Sequence, residues 1–238
     1  MPSAYVASSA AGAVFDPFNS VRAVTVGVTT TSGNAIIAVY QGSNSASLEV
    51  TDNKGNSYTL HVDGVTSGIA IASAVNITGG ATHTVTFTVT SHSNPGLIAV
   101  LEYAGLDTAG AYDQQCQVSN FIANISGTTG TTTTDNQLVI GAMAKSGTAP
   151  TAGSGYTIRL TIGNLTIEDK NVTATGAQVV NFTHAEATAA LSGATFKDAV
   201  VGGGGSILKQ MLQHHRGRRP TRTPAWTRRD SGILARAA

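Results

Sequence analysis

The feature that most constrains this chain is alternation. Val24, Val26 and Val28 are separated by Thr25 and Gly27, and His83-Thr84-Val85-Thr86-Phe87-Thr88-Val89 repeats the pattern without a break. Successive side chains of an extended strand point to opposite faces, so a period of two with one apolar set predicts strands with one buried face. Val, Ile and Thr reinforce that reading, because β-branched side chains fit a pleated surface and lose rotamer freedom in a helix. One run, Ala35-Ile36-Ile37-Ala38-Val39-Tyr40, is continuously apolar instead, and Leu97 to Tyr103 is apolar apart from Glu102. They predict core strands, the first covered on both faces.

Turn residues separate these runs. Asp52-Asn53-Lys54-Gly55-Asn56 lies between Ser47–Val50 and Tyr58–Val62, which predicts a hairpin, since Asn and Gly tolerate positive φ. Gly79-Gly80 leads from Ile69–Ala72 into the run that starts at His83, and Asn94-Pro95-Gly96 precedes Leu97. Residues 105–136 read as a long irregular stretch with one short strand near Phe121 to Ile125. Strands resume at Leu138–Met143, Tyr156–Ile162, Leu165–Glu168, Gln178–Phe182 and Ala187–Phe196. About eleven strands with frequent turns predict an all-β fold, an antiparallel β-sandwich of jelly-roll or Ig-like type. Helical periodicity is confined to a possible short helix at Ser206 to His215, which argues against a parallel α/β architecture.

A chain of 238 residues suits one β domain. That domain is expected over residues 1–200, because Gly202-Gly203-Gly204-Gly205-Ser206 has the composition of a flexible linker. Charge divides at the same place. Residues 1–205 carry six Lys/Arg against twelve Asp/Glu, net −6, while residues 206–238 carry eight against Asp230 alone, net +7. An acidic body is thus joined to a basic, extended tail over 201–238. Cys116 is the only cysteine, so no intramolecular disulfide holds the fold. No run of about 18 apolar residues predicts a membrane helix, and Met1 to Gly12 lacks the basic start and long apolar stretch of a signal peptide.

Three stretches look familiar together: Val50-Thr51-Asp52-Asn53-Lys54-Gly55-Asn56-Ser57-Tyr58-Thr59, Asn76-Ile77-Thr78-Gly79-Gly80-Ala81 leading into Val85-Thr86-Phe87, and Leu101-Glu102-Tyr103-Ala104-Gly105-Leu106-Asp107. They resemble a recurrent β-sandwich domain of phage structural proteins and bacterial surface or secreted proteins, over roughly residues 20–197 and closing on Ala194-Thr195-Phe196-Lys197. The resemblance implies display or attachment and brings no catalytic residues with it.

Motifs for chemistry are sparse. The chain contains no Gly-x-Ser-x-Gly, Gly-x-x-x-x-Gly-Lys, His-Glu-x-x-His or Gly-x-Gly-x-x-Gly. His61 and His83 are expected to face solvent from their strands. Glu168-Asp169 on a strand would point to opposite faces, which argues against a shared acid–base role. Glu102, in an apolar strand, needs a partner or a raised pKa if buried, and is expected to face the less buried side or to pair with a cation such as Arg22 or Arg159. Asp52, Asn53 and Asn56 supply oxygens at a turn but lack the full spacing of a calcium loop. No catalytic residue, metal site or cofactor is therefore expected.

These readings lead to a non-enzymatic structural or assembly subunit on a virion or other extracellular surface, of decoration, capsid-associated or fibre type. Its expected partners are copies of itself or a particle shell. The alternative is a carbohydrate-binding or adhesive module, for which Tyr40, Tyr103, Tyr112 and Tyr156 are the available aromatics, since saccharide rings stack on exposed ones. The tail residues Arg216, Arg218, Arg219, Arg222, Trp226, Arg228 and Arg229 are the candidate partner-binding set. They would dock on an acidic neighbour or, through charge and base stacking, on nucleic acid; the competing expectation is a solvated tail or an out-of-frame extension without function.

Overall fold

The computed structural model describes residues 2–12, 21–42, 48–90, 96–120, 124–145, 147–185 and 189–200. The possible helix at Ser206 to His215 and every named tail residue, Arg216 to Arg229, lie outside them. The described residues are all-β, with fifteen strands in antiparallel sheets packed face to face.

Eight strands come from residues 4–104: β1 (Ala4–Gly12), β2 (Val21–Thr30), β3 (Ala35–Gln41), β4 (Leu48–Asp52), β5 (Thr59–Asp63), β6 (Ile69–Ala74), β7 (Gly80–Thr90) and β8 (Leu97–Ala104). They form a five-stranded sheet ordered β1-β8-β3-β6-β5 and a three-stranded sheet ordered β2-β7-β4. Seven more come from residues 112–197: β9 (Tyr112–Asn120), β10 (Ser126–Thr131), β11 (Gln137–Lys145), β12 (Thr157–Ile162), β13 (Leu165–Val172), β14 (Ala177–Asn181) and β15 (Ala189–Lys197). Their five-stranded sheet is ordered β9-β15-β11-β13-β12, opposite a two-stranded β10-β14 sheet. The order of the first half therefore recurs in the second, strand for strand, with no described counterpart of β4.

The two five-stranded sheets face each other, and each carries its smaller sheet on its other side. One core, between the large sheets, holds Ile37, Val39, Ile71, Leu101, Ile140, Ile167 and Phe196. A second lies under β2-β7-β4 and a third under β10-β14. This stacking explains the apolar runs. On β3 the residues Ala35, Ile37 and Val39 enter the first core while Ile36, Ala38 and Tyr40 enter the second, so both faces are buried, as expected for this strand.

Two expectations are corrected. Asp52 to Asn56 does not close a hairpin, because β4 pairs with β7 and β5 pairs with β6. The Asp52 carboxylate gathers the Lys54 and Asn56 backbone N–H groups (2.9 and 3.0 Å), which turns the chain from the small sheet into the large one. Residues 105–136 are not irregular. They supply β9 and β10, whose polar sequences hide the pattern, and Phe121 itself lies outside the described residues. The small N-terminal residues form β1, held by backbone pairing to β8 from Ala4↔Ala104 to Gly12↔Leu97.

Candidate functional site

Where the edge strand of one large sheet crosses the opposite edge of the other, two clefts form, and they are counterparts. In each, the edge strand next to the cleft carries a β-bulge, between Leu60 and Val62 on β5 and between Ile158 and Leu160 on β12. A bulge adds an unpaired residue and re-aims its side chain. His61 and Arg159 are those residues. His61 stacks on Tyr112 of the second half, with ring centres 4.1 Å apart and planes 6° from parallel. Arg159 lies over Tyr5 of the first half, 4.5 Å from the ring centre. Tyr112 and Tyr5 pair in register with Phe196 and Tyr103 and meet them edge-on, at 67° and 68°.

The inner partners differ in charge. His61 Nε2 is 2.7 Å from Ser73 Oγ on β6. At the matching position of β13 stands Asp169, which accepts from Arg159 Nε at 2.9 Å and from the Tyr103 hydroxyl at 2.7 Å. Burial, with the neighbouring Asp169 carboxylate adding to it, pushes the Tyr103 phenol far up, so it stays a donor. Burial alone holds the His61 imidazole down at about 4. The first cleft is therefore uncharged near neutral pH and has a volume of about 590 Å³. The second is about 320 Å³ and is lined by Arg159, Asp169 and Lys170.

The other singled-out residues are structural in their contacts. His83 does not face solvent as expected. It shares the inward parity of Val85, Phe87 and Val89 on β7, is fully buried, and sits 2.6 Å from Thr30 Oγ1 and 2.9 Å from Asp52 Oδ2. His61 is half-buried, also against expectation, because of its bulge. Burial opposes ionisation of Asp52, but hydrogen bonds from the Asn56 side chain, His83 and the Asn56 and Lys54 backbone N–H groups outweigh it and hold the carboxyl at about 2. With those donors and the Tyr58 hydroxyl at 3.1 Å, the Asp52 oxygens face hydrogens. Glu102, 1% exposed, accepts from the Thr31 backbone N–H at 2.7 Å and the Asn34 side-chain amide at 2.5 Å, while Arg159 pairs with Asp169 instead and the Arg22 side chain lies outside the described residues.

Glu168 and Asp169 do point to opposite faces. Glu168 is buried on the far side of its sheet, where Oε2 accepts from the Gly153 N–H at 2.9 Å and Oε1 has no partner among the described residues. Burial pushes its carboxyl up to about 7. Cys116 is buried, and burial pushes its thiol up to about 11, which leaves little thiolate at neutral pH. Among the described residues no group of three or more His, Cys, Asp or Glu is placed to hold a metal ion.

Of the four tyrosines considered for stacking, Tyr40, Tyr103 and Tyr156 are buried, while Tyr112 is half-buried and lines the neutral cleft. Sequence reasoning missed the roles of His61, Arg159 and Tyr5. The signal for a swapped pair of sites would have been the repeated strand order, which the divergent side chains conceal. No protein-family model, curated protein or solved structure matches the chain.

Proposed function

We propose that this protein is a non-enzymatic structural or assembly subunit, a virion- or particle-surface protein whose partners are copies of itself or the particle shell. The observation that carries the reading is the outer face of the β2-β7-β4 sheet. Thr25, Thr86 and Thr51 stand in one row across its three strands, and Thr25 and Thr86 are joined by a 2.9 Å hydrogen bond between their hydroxyls. Thr84 and Thr88 flank that row on β7. Glu49, across from Thr88, brings one carboxylate to this face. A flat face of mostly short side chains loses little side-chain entropy when another surface covers it. Among the described strands the sheet ends in β2 and β4, and the unpaired backbone groups of edge strands are a template for pairing with another chain.

The fold supports the same reading. In the first half the order β1-β8-β3-β6 faces β2-β7-β4, the sheet order of a jelly roll with β5 moved to the other sheet. We read each half as a jelly-roll-type sandwich on that basis. Three of the buried ionisable groups, Asp52, Glu102 and Asp169, are held by internal hydrogen bonds, which suits a scaffold.

Mass measurement in solution and on isolated particles tests this. The expected result is an oligomer or a particle-bound subunit that Thr86→Arg, a charge in the middle of the threonine row, disrupts without unfolding. A monomer with no particle association would overturn the reading. Deletion of residues 206–238 separately tests the basic tail: if assembly is unchanged, the tail is not a docking arm.

A further inference from the structure

We infer that the cleft bounded by β5, the end of β6 and the residues just before β9 is a binding site for an uncharged saccharide, with Tyr112 and His61 as its aromatic platform. This stands whether the protein is a shell subunit or a monomer.

Four observations carry it. The cleft of about 590 Å³ has the size of a small-ligand site, and no Asp, Glu, Lys or Arg lines it. That neutrality is not imposed by the fold, because the matching cleft, built on the equivalent strands, is lined by Arg159, Asp169 and Lys170. Tyr112 and His61 line the cleft and are fixed by mutual stacking and by edge contacts to Phe196 at 6.3 and 5.8 Å. Rigid rings present contact area with little entropy left to lose.

The hydrogen-bonding groups fall into two sets. Asn56 and Ser73 are already held, Asn56 by Asp52 and by the Thr78 N–H at 2.7 Å, Ser73 by His61. Ser57, Thr59 and Asn76 line the same cleft, are exposed, and have side chains that make no hydrogen bond among the described residues. Free hydroxyls and an amide beside a rigid aromatic pair match a ligand with several hydroxyls and an apolar ring face. An ionic ligand would find no counter-charge. An apolar one would cover the polar groups of Asn56, Ser57, Thr59, Ser73 and Asn76, which share the wall about evenly with apolar surface that includes Val75, Ala109 and Ala111.

The test is a titration of the full chain with neutral oligosaccharides (cellohexaose, laminarihexaose, mannohexaose), with sialylated and sulfated oligosaccharides and with an uncharged Gly/Ser/Thr peptide, followed by amide chemical shifts. The expected result is saturable perturbation of residues 56–61, 73–76 and 109–112 by at least one neutral oligosaccharide. Tyr112→Ala should weaken it by about tenfold or more. Thr59→Trp, an exposed change that fills the cleft without touching the core, should abolish it, and Tyr5→Ala in the twin cleft should leave it intact. No shift with any neutral saccharide, binding that survives Thr59→Trp, or binding only of charged saccharides or of the peptide would overturn the inference.

Discussion

The two halves share one strand order and fill it differently. In the first, the small sheet has three described strands, and the buried carboxylates beneath and beside it, Asp52 and Glu102, each accept several hydrogen bonds. In the second, the small sheet has two described strands, and buried Glu168 accepts from the Gly153 N–H while its other oxygen has no partner among the described residues. Strand register makes Ala72 the counterpart of Glu168 and Ala38 the counterpart of Gly141. Volume has thus moved from one strand to its neighbour. The lesson is that backbone order tolerates exchange of both charge and volume, provided each exchange is compensated locally.

The largest expected effect is at Asp52. Asp52→Ala removes the acceptor shared by His83, Tyr58, Asn56 and Lys54, and should cost about 3 kcal/mol or more in chemical denaturation followed by circular dichroism. The halves share the core between the large sheets, so one transition is expected. Two separate transitions would break the comparison by showing that the halves fold independently.

Next comes pH. Glu168 keeps its proton up to about 7 in the folded state but loses it near 4.5 when unfolded. Stability should therefore fall as pH rises through that window, by roughly 3 kcal/mol. His61 has the opposite sign. Its folded value of about 4 lies below the ordinary 6.5, so its contribution is lost as pH falls from 6.5 toward 4. In the wild type the two slopes oppose each other between pH 4.5 and 6.5. Glu168→Gln should remove the falling limb and leave stability rising with pH, measured as denaturation midpoints across buffers. An unchanged profile would mean that Glu168 is already ionised when folded.

A smaller effect is expected at Gly141, where an added Cβ would lie 2.6 Å from Val180 Cγ1 and 3.1 Å from Glu168 Cγ. Gly141→Ala should cost about 1 to 3 kcal/mol. Combined with Glu168→Ala, which restores the alanine pair of the first half, it should cost less than the sum of the two single changes. Additive costs in a double-mutant cycle would mean that the two positions do not exchange volume. The smallest effect belongs to Tyr103→Phe, which copies the other half's Phe196 and should cost about 1 kcal/mol, since Asp169 retains Arg159.

Much of the fold was legible in the sequence, for identifiable reasons. β3, β7 and β8 carry their burial in their side chains, so alternation or a mostly apolar run revealed them. β1, β9 and β10 did not, because backbone pairing and small residues define them. At Gly127 in β10 an added Cβ would sit 2.9 Å from Leu191 Cδ2, a requirement that reads in sequence as a turn. The clefts were harder still. Tyr112 was a stacking candidate by residue type alone, but its contact with His61 spans the two halves and depends on a bulge that no local pattern announces. His83 was misjudged by one step of phase, since its neighbours at Val85 and Phe87 set the inward parity.

The reciprocal crossing of His61 onto Tyr112 and Arg159 onto Tyr5 obeys the rule of an isologous dimer, in which residue i meets j and j meets i. Here both partners sit on one polypeptide. The chain therefore acts as its own twin, so this pairing does not dilute away as a homodimer's would. Freedom from true symmetry also lets one crossing become ionic while the other stays neutral, a specialisation that identical subunits cannot encode.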